Sequence, residues 1–167
     1  MKPPIIVRHP EIEGLVEIQY DVFRDHRGQN SEGYNKDYLA EFGDFTVDSY
    51  SWSTRSVIRG YHGDISNSKI VFVTAGSIFL SVIDARPESP TYLAVKNFDL
   101  NYRDFSQILL PSGVVNAHQC LSDFCCFSYK LTKSYVAPDQ QIHIKYNDPR
   151  FNIKWPISEP ILSDRDK

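Results

Sequence analysis

The side chains in this chain whose type and spacing could carry chemistry sit in β-type runs. Arg59-Gly60-Tyr61-His62 precedes an apolar run that opens with Lys69. Asn116 and His118 are two positions apart, so on a strand they face the same way. Tyr129-Lys130 falls within the last strong apolar run. An imidazole such as that of His62 can take a proton and give it back. A lysine or arginine can hold an anion, and a phenol can return a proton. Taken singly, each is also an ordinary strand residue and assigns nothing. The chain lacks a phosphate-binding glycine loop, a dinucleotide fingerprint and a Gly-x-Ser-x-Gly elbow. ATP hydrolysis, nicotinamide redox chemistry and serine hydrolysis therefore have no support.

The elements that must position these residues read as strands. Residues 14–23 alternate loosely, and residues 69–74 and 77–84 are rich in Ile, Val and Phe. Ala75-Gly76 between the latter two predicts a hairpin. Residues 92–100, 107–110, 114–121 and 125–132 follow, separated by turn sequences such as Pro111-Ser112-Gly113 and Ser122-Asp123. One segment reads helical: Asn35 can cap it, Tyr38, Leu39 and Phe42 share a face, and Gly43 can end it. After Pro138 the pattern is polar and irregular until Phe151, Ile153, Trp155 and Ile157. Many short strands with one or two short helices predict an all-β sandwich or jelly roll. The length of 167 residues fits a single domain spanning 1–167.

Composition narrows the partners. Eighteen Lys and Arg against 21 Asp and Glu give a net charge of −3, without the basic excess of a nucleic-acid binder. No uncharged span reaches membrane length and no signal-peptide core follows the N-terminus, so a cytoplasmic protein is expected. Cys120, Cys125 and Cys126 form no Cys-x-x-Cys pair, and adjacent strand residues point to opposite faces. They read as buried thiols.

The segments Val57-Ile58-Arg59-Gly60-Tyr61-His62, Asp84-Ala85-Arg86-Pro87-Glu88-Ser89-Pro90-Thr91, Leu110-Pro111-Ser112-Gly113, Phe127-Ser128-Tyr129-Lys130, Asn147-Asp148-Pro149, Trp155-Pro156 and Leu162-Ser163-Asp164-Arg165-Asp166 stand in a distinctive order. In that order the chain resembles the dTDP-4-dehydrorhamnose 3,5-epimerase family, from about Phe23 to Asp166. His62-Gly63-Asp64, Asn116-Ala117-His118 and Pro138-Asp139-Gln140 are similar to a subgroup acting on GDP-linked 4-keto heptoses. The resemblance implies a cupin-type β-jelly roll, usually a homodimer that exchanges N-terminal strands, with no redox cofactor or metal. It implies His62 as general base, Asp166 as the carboxylate that orients it, Lys69 beside the enolate oxygen and Tyr129 as the opposing acid. Arg59 and Arg27 match diphosphate or nucleotide contacts, and Glu32 a contact supplied across the dimer. Departures fall at expected substrate contacts. Gln29 and Asn30 stand where aromatic residues are usual, Val47 and Ser49 where Gln and Asn are, and Asn116 where a His is common, with His118 two residues on.

The expected activity is epimerisation of a nucleoside-diphosphate 4-keto-6-deoxy sugar, hexose or heptose, at C3, with C5 left open. A nucleotide-sugar 3,4-ketoisomerase is the alternative closest in chemistry. A metal-dependent cupin needs more ligands than His62 and His118 supply. A non-catalytic sugar-nucleotide binding module predicts loss of base or acid, and both are present.

Overall fold

The computed structural model describes residues 2–167; Met1 lies outside the described residues. Thirteen strands follow one another: β1 (Ile5–Arg8), β2 (Val16–Gln19), β3 (Val22–Asp25), β4 (Gly28–Ser31), β5 (Val47–Thr54), β6 (Ile58–Gly63), β7 (Lys69–Ala75), β8 (Ser77–Asp84), β9 (Val95–Asn101), β10 (Ser106–Leu110), β11 (Val114–Cys120), β12 (Phe124–Leu131) and β13 (Ile142–Ile144). They form a six-stranded sheet ordered β1-β2-β10-β7-β12-β5, a five-stranded sheet ordered β13-β6-β11-β8-β9, and the separate hairpin β3-β4. Every strand pairing is antiparallel. The two larger sheets pack face to face as a β-jelly roll.

Alternation decides which side chains enter the space between the sheets. From the six-stranded sheet come Val71, Val73, Ile108, Leu110 and Phe127; from the five-stranded sheet come Ile78, Leu80, Val82, Val114 and Cys120. Each fully buried aliphatic side chain here is worth about 1.5–3 kcal/mol relative to exposure. The intervening residues face outward and are covered separately. Helix α1 (Lys36–Leu39) lays Leu39 near Val16, Ile18, Ile70 and Phe72. Phe151, Ile153 and Trp155 cover Tyr61, Ile83, Val115 and Ala117. Asn35 caps α1 by accepting from the Asp37 amide at 3.0 Å, and the chain leaves the following short 3₁₀ turn at Gly43 with φ +117°. All three cysteines are free and buried.

Several expectations change. Ala75-Gly76 is not a hairpin, because β7 and β8 belong to different sheets. Gly76, at φ +76°, turns the chain from one sheet to the other, and a Cβ there would lie 2.1 Å from the Phe124 carbonyl oxygen. The run 14–23 divides into β2 and β3, which lie in different sheets. The region after Pro138 contains β13, a short strand added to the edge of the five-stranded sheet beside β6. No helix among the described residues is long and apolar enough to cross a membrane.

Candidate active site

A cleft of about 470 Å³ opens between the sheets and is lined from both. Lys69 is on the same face of β7 as Val71 and Val73, so its side chain enters the interior and its ammonium crosses to the opposite sheet. There Nζ donates to the His62 carbonyl at 3.0 Å and to Asn116 Oδ1 at 2.8 Å. Burial lowers the Lys69 pKa to about 8, with Asp64 partly opposing the shift. Tyr129 stands on the same sheet, edge-on to Phe127 at 4.7 Å. Burial raises its pKa, so the phenol keeps its proton at neutral pH.

Arg59 and His62 both line the cleft although they are three positions apart, an odd spacing on a strand. A bulge allows this: β11 pairs Asn116 with His62 and His118 with Arg59, so β6 carries one residue more than its partner. Tyr61 turns to the outer face, where its hydroxyl bonds Ser81 at 2.7 Å. Arg59 donates to Ser53 Oγ at 3.0 Å and to the Trp52 carbonyl at 3.1 Å, leaving further guanidinium donors unspent.

The C-terminal segment brings in a carboxylate. Val57 and Ile161 form a parallel bridge, and the Ile58 amide donates to the Ile161 carbonyl at 3.0 Å. Asp166 is then 3% exposed, with Oδ1 2.9 Å from His62 Nε2 and Oδ2 accepting from Ser163 Oγ at 2.8 Å. His62 Nε2 and Asp166 Oδ1 therefore face each other directly. Burial of Asp166 opposes its ionisation, but His62, Ser163 and the Gly60 amide outweigh it and hold the pKa near 2. Gly60 is required by this approach, since a Cβ on it would lie 2.8 Å from Asp166 Oδ1.

The structure therefore gathers His62, Asp166, Lys69, Tyr129, Arg59, Ser49, Asn116 and His118 around one cleft. His118 is fully buried and stacks on Phe127 at 4.1 Å between ring centres. Burial lowers its pKa to about 3, with Arg59 adding to the effect. Arg27 and Glu32 do not line this chain's cleft. Arg27, on the β3-β4 turn, pairs with Asp25 at 2.6 Å, and Glu32 accepts from Asn35 at 3.1 Å.

The sequence profile of the family described as dTDP-4-dehydrorhamnose 3,5-epimerase matches residues 9–167. The chain belongs to this family. It is an isomerase of the epimerase type. A dTDP-4-dehydrorhamnose 3,5-epimerase of Pseudomonas aeruginosa is 34% identical, the match covering 93% of this chain and 90% of that one. A dTDP-4-dehydrorhamnose 3-epimerase of Streptomyces niveus is 31% identical over 93% of this chain and 78% of its own length. The crystal structure of the Bacillus anthracis 3,5-epimerase with TDP and pyrophosphate bound superposes with a TM-score of 0.90 at 28% identity, covering 98% of this chain and 96% of that one.

Among the residues at or beside this cleft that escaped the sequence reading are two aromatic ones. Tyr135 and His143 both follow the last strong apolar run, where the pattern carries no period. Tyr135 lines the cleft. His143 pairs with His62 across β13 and β6, with ring centres 5.3 Å apart, and its Nε2 stands 3.8 Å from Asp166 Oδ1.

Proposed function

We propose that this chain epimerises a nucleoside-diphosphate-linked 4-keto-6-deoxy sugar at C3, with or without C5, within deoxysugar or surface-polysaccharide synthesis in the cytoplasm. The observation that carries this reading is the placement of His62 with Asp166 on one wall of the cleft, opposite Lys69 and Tyr129 on the other. The solved relatives holding TDP or dTDP-4-keto-L-rhamnose support a nucleotide-sugar ligand, with a thymidine carrier favoured.

A ketone at C4 acidifies the hydrogens on C3 and C5, yet their removal at neutral pH needs a positioned base. With Nε2 turned to Asp166, the Nδ1 lone pair of His62 is the acceptor, and the carboxylate stabilises the imidazolium that forms. The negative charge then gathers on the C4 oxygen. A preorganised ammonium at that point contributes roughly 3 kcal/mol, by analogy with one oxyanion-hole donor. Lys69 is that ammonium, held by Asn116 and the His62 carbonyl. Inversion requires a proton from the other face, and the protonated phenol of Tyr129 supplies it. Arg59 is the diphosphate contact of this chain. Ser49, Asn116 and His118 face the sugar and base, and Arg27 and Glu32 reach the site of a partner subunit.

The test is incubation in D₂O with dTDP-, GDP- and UDP-linked 4-keto hexoses and heptoses, with deuterium at C3 and C5 followed by NMR. Uptake at C3 with formation of the C3 epimer is expected, and His62→Asn is expected to abolish both while nucleotide affinity stays within a few-fold. A product with the carbonyl moved to C3 would indicate the ketoisomerase. No exchange with any sugar would leave a binding module, and near-native exchange by His62→Asn would remove His62 as base.

A further inference from the structure

His62, His143 and Asp166 each direct a ligand-type atom to one point, and these atoms lie within 4.8 Å of one another. Nε2 of His62 and Oδ1 of Asp166 are buried and have no aligned hydrogen-bond partner. Asp166 is 3% exposed, so this oxygen is also withdrawn from solvent. Two imidazole nitrogens and a carboxylate oxygen are electron-pair donors. Brought this close together, they suit a shared cation.

We propose that His62, His143 and Asp166 form a binding site for a divalent transition-metal ion of the zinc class, and that occupancy switches the base off. The binding claim stands on the cluster itself; only its consequence for turnover rests on the reading of His62 as base. Zinc takes His nitrogen and carboxylate oxygen at about 2.0–2.2 Å, which puts tetrahedral ligand atoms about 3.4 Å apart. The observed separations from Asp166 Oδ1, 2.9 Å to His62 and 3.8 Å to His143, bracket that spacing. Both imidazoles are partly open, at 25% and 30% side-chain exposure, which leaves an entry path and a position for water. Arg165 opposes a cation here, but its guanidinium is drawn toward Gln141 Oε1 at 2.9 Å.

The effect on the base follows from the proton count of the ring. A neutral imidazole bound to metal through Nε2 carries its one hydrogen on Nδ1, so Nδ1 has no lone pair to accept a proton from the sugar. The same ion occupies the carboxylate that would have stabilised the imidazolium. The metal is therefore an inhibitor at this site and no part of turnover. His118, which with His62 falls short of a metal cupin's ligand set, is buried against Phe127 and lies outside the cluster.

The test starts from protein stripped with chelator. Zinc is titrated in competition with a chromophoric chelator, and cobalt(II) is followed by its visible absorption. One equivalent per chain, bound at micromolar concentration or tighter, is expected, with cobalt bands of a low-coordinate nitrogen and oxygen site. His143→Gln, on an exposed edge strand, should keep the wild-type circular dichroism and lose more than about tenfold in zinc affinity, since disturbing even an outer partner of a metal site costs that much. Deuterium exchange at C3 should fall as zinc is added and return with chelator, with His143→Gln needing correspondingly more zinc. Absence of zinc binding by the wild type, or equal affinity in His143→Gln, would overturn the site. Lack of exchange in metal-free protein would instead count against the epimerase reading and leave the titration result standing.

Discussion

At the scale of single residues, the division of labour proposed for Tyr129 and Lys69 after proton removal makes a prediction for each. Tyr129→Phe removes one hydroxyl and little packing. If the phenol is the donor, the variant should still exchange deuterium at C3 through His62 but form epimer much more slowly, measurable as the ratio of exchange to inversion in D₂O. Equal and undiminished rates would make the hydroxyl dispensable. Lys69 predicts a pH effect. Its burial places the ammonium pKa near 8, so the charge proposed to stabilise the enolate is present below that pH and lost above it. The rate should therefore fall on the alkaline side with an apparent pKa close to 8, and Lys69→Met should erase that limb together with most of the rate. His62, Lys69 and Tyr129 stood out as candidates in the sequence because apolar strands surround them, while their proposed roles came from the family resemblance. Asp166 was legible only through family resemblance, since an aspartate in a polar tail carries no signal. His143 sits on a three-residue strand, too short to show alternation, and so was not legible at all.

At the scale of elements, the β6 bulge and the docked C-terminal segment do most of the positioning. The order of strands and turns could be read from alternating apolar residues and the Gly and Pro punctuation between them. The bulge could not, because it is a mismatch between β6 and β11 and appears only when the two are paired. Sheet membership was hidden for the same reason. Ala75-Gly76 has the composition of a hairpin, and only the partners chosen by β7 and β8 show it to be a crossing between layers. Gly60 ties the elements together. Gly60→Ala would set a methyl group against the Asp166 carboxylate, a contact neither can relieve without moving the tail. Its catalytic loss should match that of Asp166→Asn, on the order of 10²-fold or more as for other impaired general bases. Steady-state kinetics of the two variants would check it, and a wild-type rate in Gly60→Ala would separate the glycine from the carboxylate.

At the scale of the molecule, the cleft holds the proposed proton-transfer groups while Arg27 and Glu32 lie elsewhere on the same chain. The β3-β4 hairpin that carries Arg27 stands apart from both main sheets and exposes Phe23. β1 pairs with β2 on one side and leaves its other edge open. Both features suit a partner subunit. Light scattering should give about twice the mass of one chain if this homodimer forms. Complementation tests whether sites are shared. Arg27→Ala and His62→Asn should each be impaired alone, and co-expressed chains should regain activity because a hybrid dimer rebuilds one complete site. No recovery from a verified hybrid would confine each site to its own subunit. The fastening of the tail has a consequence for how the molecule fails. The jelly-roll core is closed by eight-residue ladders such as β12 against β5, whereas Asp166 is held by a single bridge at Ile161 and a few polar contacts. Local opening of so lightly held a segment needs far less free energy than global unfolding. As urea is raised, catalysis should therefore disappear before the sheets melt, and the amides of Ile161 and Asp166 should exchange with solvent while those of Val71 and Phe127 remain protected.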